Sequence, residues 1–150
     1  MLNVKIGAQT EVFADNTELS IKVPRLRLVD VMMELRNHPD YKMDFLVDLT
    51  SVDYPENLTV IYHLMSMQHR HQLTVKVEIS KENPCWVPSV TAVWKAAQVL
   101  EREVFDLMGI IFNDHPDLRR ILLADDFVGH PLRKDFVLQP DKNTSQDGGV

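Results

Sequence analysis

The sequence predicts an α+β two-layer domain, with helices on one face of a mixed, mostly antiparallel sheet, and an extended C-terminal tail. Three observations support this prediction. Strand-type alternation recurs in the middle of the chain, helix-type spacing of apolar residues flanks it, and the last third mixes many charges with apolar residues. The predicted order is therefore helix, strands, helix, short strand and tail.

The first 23 residues contain short apolar alternations that predict one or two strands: Leu2-Val4-Ile6, Val12-Phe13 and Leu19-Ile21-Val23. Pro24 suits the first turn of a helix that carries Leu28, Val31 or Met32, and Leu35 on one face. Asn37-His38-Pro39 is expected to end this helix.

Three longer strands are predicted next, because apolar residues alternate with polar ones. The alternating apolar residues are Phe45, Val47 and Leu49 in the first strand, Leu58, Val60, Tyr62 and Leu64 in the second, and Leu73, Val75, Val77 and Ile79 in the third. Short connections between these strands, such as the turn Tyr54-Pro55-Glu56-Asn57, favour antiparallel neighbours. The following segment, 83–88, is predicted to be a loop.

The second predicted helix begins near Pro88-Ser89 and ends at Gly109, a residue suited to a left-handed helix end. Its apolar residues recur at helical spacing: Val90, Val93, Ala97, Leu100, Val104 and Leu107. The expected solvent-exposed stripe consists of Thr91, Lys95, Gln98, Arg102 and Asp106. Within that stripe, Arg102 and Asp106 are expected to pair one turn apart.

Two carboxylates of this helix fall outside the exposed stripe: Glu101 lies inside the apolar arc, and Glu103 lies among alanines. Leaving a carboxylate buried and unpaired costs about 3–5 kcal/mol. These residues therefore bend out at a helix end, pair with an arginine of the same chain (Arg119, Arg120 or Arg133), or face a second protein. The helix pattern alone does not choose between these alternatives.

Composition disfavours several functional classes. The net charge is −6, and no Lys/Arg stripe interleaves with aromatic residues, which disfavours nucleic-acid binding. No apolar run approaches a membrane span, and the N-terminus lacks secretory and transit patterns, so we expect a soluble protein. A lone cysteine, Cys85, cannot form an intrachain disulfide or an all-cysteine iron–sulfur cluster. Glycine is scarce and no phosphate-binding glycine motif is present, which disfavours nucleotide binding.

The chain is predicted to comprise an α+β domain over 1–112, an extended partner-docking tail over 113–139 and a disordered C-terminus over 140–150. Charged residues crowd the tail between apolar ones: Asp114, Asp117, Asp125, Asp126, Asp135, Arg119, Arg120, Arg133 and Lys134. Such a segment favours a protein interface, since Arg suits desolvated ion pairs. The alternative is a tail folded back on its own domain.

Histidines suggest two further alternatives. His63, His69 and His71 lie on or beside two neighbouring predicted strands and would form the zinc site of a stand-alone metal-dependent hydrolase, although a further ligand at suitable spacing is missing. Acid/base pairs would involve His115, His130, Asp117 and Asp135. Each of the latter histidines precedes a proline in a charged loop, however, and no Ser or Cys nucleophile accompanies them.

With these residues in view, the chain resembles the C-subunit family of respiratory complex I, the proton-pumping NADH:quinone oxidoreductase, and the related subunits of membrane-bound hydrogenases. Three runs carry the resemblance: E-R-E-V-F-D-L-M-G-I from Glu101, H-P-D-L-R-R-I-L from His115, and G-H-P-L-R-K-D-F from Gly129. Upstream runs at 48–53, 60–64 and 88–91 are also similar. The sequence departs from the family pattern at Asp114, Phe127 and Val137, which affects the expected shape of local turns.

The resemblance implies a non-catalytic subunit in the peripheral arm of a proton-translocating NADH (or other donor):quinone oxidoreductase. It implies that this chain holds no cofactor or metal, and that iron–sulfur clusters, flavin and quinone bind to partner subunits. The expected partners are other complex I subunits, chiefly the large subunit that lines the quinone site. Membrane association is expected only through the complex, on the cytoplasmic side of a prokaryotic inner or plasma membrane, or in a plastid. An equivalent hydrogenase subunit is the alternative.

Twelve residues are candidates for partner binding, and none is predicted to be catalytic. We expect those on the helix to anchor the tail and the partner, and the basic residues of the tail to form ion pairs across the subunit boundary. The candidates are Glu101, Arg102, Glu103, Asp106, His115, Asp117, Arg119, Arg120, His130, Arg133, Lys134 and Asp135.

Overall fold

The structure, a computed structural model, describes residues 19–138 and the backbone of residues 11–14. Within these residues the elements are β1 (Glu11–Ala14), β2 (Leu19–Lys22), α1 (Leu28–Asn37), β3 (Phe45–Asp53), β4 (Leu58–Ser66), β5 (His71–Ile79), β6 (Trp86–Pro88), α2 (Ala97–Met108) and β7 (Ile111–Asn113). The predicted strand at Leu2–Ile6, the last residue of the predicted tail (Gln139) and the segment 140–150 lie outside the described residues.

Five strands form one sheet in the order β1-β2-β5-β4-β3. Strand β2 runs parallel to β5, and every other neighbouring pair in this sheet is antiparallel. The prediction of an α+β fold with a mixed, mostly antiparallel sheet is therefore confirmed.

The strand register separates a buried face of the sheet from a more polar one. One row of partners across β2, β5, β4 and β3 consists of buried residues: Ile21, Val75, Tyr62 and Leu49. The next row consists of partly exposed residues: Lys22, Lys76, Ile61 and Thr50. Apolar side chains of both helices join the core on the first face, as the two-layer prediction requires.

Helix α1 agrees with its prediction. Pro24 precedes a single 3-10 turn, Arg25–Arg27, after which α1 begins at Leu28. Four residues at helical spacing are buried: Leu28, Val31, Met32 and Leu35. The helix ends at Asn37 because His38 adopts an extended conformation before Pro39, and its N–H donates to the Glu34 carbonyl at 2.8 Å.

The predicted start of the second helix was wrong, whereas its end at Gly109 is confirmed. Helix α2 begins at Ala97, and residues 90–94 form turns instead. The reason is tertiary: the Val90 N–H donates to the Glu101 carboxylate at 2.7 Å, and the Trp94 indole N–H donates to the Met43 carbonyl at 3.0 Å. These contacts outweigh the helical spacing of the apolar residues.

The segment predicted to be a loop before this helix contains strand β6, which was missed. β6 pairs in parallel with β7, the predicted short strand, and α2 forms the crossover between them. The Ser89 N–H extends this pairing by donating to the Asn113 carbonyl at 2.8 Å. The parallel pair therefore fixes the beginning of the C-terminal segment, residues 114–138, beside the N-terminal half of α2.

Candidate functional site

Asp106 holds the C-terminal segment against α2. Its side chain is fully buried, and Oδ2 accepts the N–H groups of Ile121, Leu122 and Leu123 at 3.2, 2.8 and 2.8 Å. Oδ1 accepts Nη1 of Arg120 at 2.7 Å. Burial alone would raise the pKa of Asp106, but these three N–H groups and Arg120 lower it below its usual value.

The predicted exposure of Asp106 and its predicted pairing with Arg102 were therefore wrong. Residues 114–138 cover this side of the helix, which a helical wheel cannot anticipate. Arg102 instead donates from Nε to the Arg119 carbonyl at 3.1 Å and from Nη2 to the Arg120 carbonyl at 3.0 Å. Both residues stabilise the same stretch of backbone, one through its carboxylate and the other through its guanidinium.

Arg120 connects two parts of the C-terminal segment. Besides binding Asp106, it donates from Nη2 to the Gly129 carbonyl at 2.9 Å, and its guanidinium carbon lies 5.8 Å from the centroid of the Phe127 ring. The Phe127 ring in turn stacks on Phe136 with 6.0 Å between centroids. The Arg120 side chain is 13% exposed, so its ion pair with Asp106 is largely desolvated.

Glu101 lies on the opposite side of α2 and is fully buried. It accepts the Ser89 hydroxyl at 2.7 Å as well as the Val90 N–H. The predicted alternative of pairing with an arginine was wrong for this residue, since its partners are the turn that replaces the predicted helix start. Burial raises the pKa of Glu101 from 4.5 to about 7, although the Val90 N–H and the Ser89 hydroxyl partly oppose the increase.

Two further groups face Glu101. Nε2 of His115 lies 4.0 Å from Oε2 of Glu101, but that nitrogen lies 2.9 Å from the Gln98 carbonyl, while Nδ1 accepts the Asp117 N–H at 2.9 Å. This arrangement fits a neutral imidazole with its hydrogen on Nε2. Tyr62 is the second group: burial raises its pKa above the usual value, and the charge of Glu101 raises it further. Glu101 therefore has no buried cationic partner among the described residues.

The second His-Pro segment closes the C-terminal end of α2. Nδ1 of His130 lies 2.9 Å from the Asp106 carbonyl, and the Leu132 N–H donates to the Leu107 carbonyl at 3.0 Å. Gly109 makes this approach possible, because a Cβ at that position would lie 2.6 Å from Cδ2 of His130. Its φ of 73° also belongs to the left-handed region. Carbonyl groups left unpaired at the helix end thus receive partners from the C-terminal segment.

Asp53, at the end of β3, is a second buried carboxylate that receives the C-terminal segment. It forms an ion pair with Lys81, accepts the Lys134 N–H at 2.9 Å and lies 3.6 Å from Nε of Arg133. Burial would raise the pKa of Asp53, but these partners lower it. Sequence reasoning did not single out this residue. Its position in a predicted strand could have identified it as buried, because Asp53 lies four residues after Leu49 and therefore on the same face of the sheet.

The partner-binding candidates divide into two groups by orientation. Six side chains are bound within the chain: Glu101, Asp106, His115, Arg120, His130 and Arg133. Arg102 is also bound, to carbonyl groups of the C-terminal segment. The others have partly or largely exposed side chains: Glu103, Asp117, Arg119, Lys134 and Asp135. Of these, Arg119 pairs with Asp117 at 2.9 Å. Contact with a partner remains a prediction for all twelve.

Five apolar side chains of the C-terminal segment are exposed to solvent. They are at least 57% exposed and comprise Leu122, Val128, Leu132, Val137 and Leu138. The segment thus folds back on its own domain through charged groups, which was one of the two predicted alternatives. At the same time it exposes apolar groups to solvent. Exposed apolar groups along one segment are typical of a surface that binds another protein.

The proposed histidine site does not form in the described part of the chain. His63 bonds to Thr74, whereas His69 and His71 lie 2.8 and 3.1 Å from the carbonyl groups of Pro39 and Tyr41. Over residues 19–138, no group of three or more His, Cys, Asp or Glu side chains is arranged to hold a metal ion. Neither α1 nor α2 combines the length and apolar character needed to cross a bilayer.

Comparisons with known proteins agree with the motifs. Residues 21–142 match the family described as the respiratory-chain NADH dehydrogenase 30 Kd subunit. The C-subunit of NADH-quinone oxidoreductase from Moorella thermoacetica is 52% identical over 122 residues, which cover 80% of each chain. The corresponding subunit from a Caulobacter species is 50% identical, and the match covers 81% of this chain and 57% of that relative.

A solved structure has the same fold. It belongs to the membrane-bound sulfane sulfur reductase, an archaeal respiratory membrane complex, and superposes with a TM-score of 0.75 at 22% identity. The superposition covers 95% of this chain and 84% of that one. From the sequence matches, the chain belongs to the family of the 30 Kd subunit of respiratory-chain NADH dehydrogenase and is a subunit of an NADH-quinone oxidoreductase-type complex.

Proposed function

We propose that this chain is a non-catalytic brace in the peripheral arm of a proton-translocating quinone oxidoreductase. It docks through the C-terminal segment on the large subunit that lines the quinone site. Electron donor, flavin, iron–sulfur clusters and quinone bind to partner subunits. The chain reaches the membrane only through the complex, on the cytoplasmic side of a prokaryotic inner or plasma membrane.

The observation that supports this proposal is that buried charges hold the C-terminal segment on its own domain, while five of its apolar side chains are exposed. Its buried charges bind α2 and β3 through Asp106 and Asp53, so the segment has a defined path over the domain. Five of its apolar side chains are exposed, among them Val128 at 65% and Val137 at 77%. A rigidly held segment with exposed apolar groups loses little conformational entropy when it binds, which favours a permanent interface.

The geometry of the buried carboxylates supports a structural role over acid/base catalysis. Asp106 and Asp53 receive backbone N–H groups and cationic side chains, which hold them ionised. His115 contacts backbone groups through both ring nitrogens, and His130 does so through Nδ1. These four residues fix the path of the backbone.

Purification of the chain, tagged at its native level, tests the proposal. We expect the quinone-site large subunit and its neighbours to co-purify in fixed stoichiometry, together with their flavin and iron–sulfur clusters. The identity of the co-purifying subunits distinguishes a dehydrogenase from a hydrogenase-type assembly. Recovery of the chain alone, or with stoichiometric zinc and hydrolytic turnover, would contradict the proposal.

A further inference from the structure

A groove runs between the edge strand β3 and helix α2, on the side where Leu132 leans over both. Its first part is a cleft of about 160 Å³ lined by residues 48–51 of β3, by Glu103, Val104, Leu107 and Met108 of α2, and by Leu132. An adjoining cleft shares Ser51, Met108 and Leu132 and continues to Tyr54 and Lys134. β3 is the last strand of the sheet, so this groove follows an outer edge.

We propose that this groove binds an extended segment of a companion subunit that carries a basic, an apolar and an acidic side chain in that order. This inference rests on the proposed function, because it names the chemistry of one contact with a companion. It assigns a specific role to Glu103, the charged member of the Glu101–Asp106 run that has no partner within residues 19–138.

The charges at the two ends of the groove determine the order of the partner's side chains. Asp48 is exposed and Glu103 is partly exposed, and both line the first cleft. Neither carboxylate has a cationic partner among residues 19–138; Asp48 accepts only the N–H of its neighbour Leu49, at 2.9 Å. Lys134 lines the other cleft with its side chain exposed; Asp53 lines it too, but that carboxylate is already paired with Lys81. A basic group therefore fits one end and an acidic group fits the other.

The middle of the groove suits an apolar side chain. Leu107, Met108 and Leu132 form an apolar floor and wall. Oγ of Ser51 is buried beside them and has no hydrogen-bond partner among the described residues. Because this hydroxyl is closed to solvent, a docked side chain meets the apolar side chains in the middle of the groove and not the hydroxyl. From Asp48 to Tyr54, the residue after β3, the extended chain spans about 20 Å, which matches a partner segment of about six residues.

Carboxylate labelling of the isolated chain and of the intact complex tests this inference. A carbodiimide with glycine ethyl ester modifies accessible carboxylates, and mass spectrometry reports the extent of labelling at each site. We expect Glu103 and Asp48 to be labelled in the isolated chain and strongly protected in the complex. Glu34, exposed on α1, is the control and should be labelled equally in both. Equal labelling of Glu103 in the two samples would overturn the inference.

Charge reversal supplies the matched variants. Glu103→Lys should reduce recovery of companion subunits by about tenfold or more, because it places an ammonium group next to the basic group of the companion segment. Glu34→Lys should leave recovery unchanged. Glu103→Gln should have an intermediate effect. The melting temperature of each isolated variant should match that of the wild type, since the Glu103 side chain has no partner in the described chain. Unchanged recovery with Glu103→Lys would contradict the inference.

Zero-length cross-linking identifies the occupant. Carbodiimide without added amine should join Glu103 or Asp48 to a companion subunit if the basic residue there is lysine, and protection without a cross-link indicates arginine. Cross-links to Lys5 or Lys142 of the same chain, or to a second copy, would overturn the choice of occupant. If companions co-purify but Glu103 stays accessible, the groove assignment fails while the proposed function survives. If no companion co-purifies, the proposed function itself fails.

Discussion

Oδ1 of Asp106 lies 2.7 Å from Nη1 of Arg120, fourteen positions further along the chain, and the two side chains are 0% and 13% exposed. This ion pair, together with three N–H groups on Oδ2, holds the C-terminal segment on helix α2. The chain thus supplies the counter-charge of Asp106 by itself, and this ion pair does not depend on a companion subunit.

Replacing Asp106 by Asn should destabilise the isolated chain by about 3–5 kcal/mol, because Arg120 then remains largely buried without a counter-charge. Urea unfolding measures this loss. Limited proteolysis should also cut the variant within residues 114–138 faster than the wild type. Asp125→Asn, an exposed change in the same segment, is the control and should alter neither measurement. Wild-type stability in the Asp106 variant would contradict the role of this pair.

Glu101 should make the chain less stable as pH rises from about 4.5 to about 7. Its pKa is 4.5 in the unfolded chain and about 7 in the folded one, so over this interval the unfolded state ionises while the folded state retains its proton. At about 1.4 kcal/mol per unit, the loss reaches about 3 kcal/mol above pH 7.

Glu101→Gln removes this titration and should flatten that part of the stability curve. The amide also avoids a buried charge, so the variant should be more stable than the wild type at pH 8. Urea unfolding at several pH values measures both effects, and Glu34→Gln serves as the exposed control. A wild-type curve that does not fall between pH 4.5 and 7 would contradict the burial of an uncompensated carboxyl group.

Asp53 and Asp106 should produce the opposite dependence in acid. Their folded pKa values lie below the usual 3.8, so their stabilising contribution is present above pH 3.8 and is lost as pH falls through the lower values. Acid unfolding followed by fluorescence should therefore be less steep in the double variant Asp53→Asn, Asp106→Asn. An acid transition of unchanged steepness would show that other carboxylates dominate.

Gly109→Ala should destabilise the chain by more than the 1–2 kcal/mol that is typical of a left-handed non-glycine residue. Its Cβ would also meet His130 at 2.6 Å. His130→Ala in combination should recover the steric part but not the backbone part, since φ is still 73°. Thermal denaturation of the two single variants and the double variant separates these contributions. Strictly additive effects would show that the contact with His130 is unimportant.

Arg133→Glu should weaken assembly chiefly by releasing the segment from its own domain. Nε of Arg133 lies 3.6 Å from Asp53 and 3.7 Å from Asp135, so reversal would place three carboxylates together. We expect lower stability of the isolated chain, together with reduced recovery of the complex. Reversal at exposed Arg119 is the comparison. A loss of recovery without any loss of stability would instead indicate that Arg133 contacts the partner directly.

Local patterns predicted most of the central sheet and α1. Alternation in β4 and β5 places Tyr62 and Val75 on one face, and hydrophobic burial decides that face regardless of distant contacts. In β3 the predicted alternation was wrong at Phe45 and Val47, which are 50% and 48% exposed, because the register shifts between Leu46 and Asp48 and buries Leu46 together with Leu49. The left-handed end at Gly109 was also predictable, because few other residues tolerate that conformation.

What escaped prediction depended on groups distant in sequence. Residues 90–94 have helical spacing, yet the Glu101 carboxylate binds the Val90 N–H and favours a turn. Asp106 occupied the polar side of a helical wheel, yet N–H groups of residues 121–123 bury it. In each case a carboxylate accepts hydrogen bonds from backbone N–H groups instead of water. The spacing of apolar residues does not indicate where those N–H groups will lie. The three motif runs nevertheless contain most of the residues through which α2 binds the C-terminal segment.

Cross-linking of the intact complex with a lysine-reactive reagent tests the central claim most directly. Lys134, exposed in the C-terminal segment, should link to the large quinone-site subunit. Lys95, exposed just before α2, is the control for a lysine that lies away from that contact. We expect links from Lys134 to join this chain to that large subunit and to disappear when the complex is dissociated. Links from Lys134 that stay within the chain, or that join it only to other subunits, would contradict the claim.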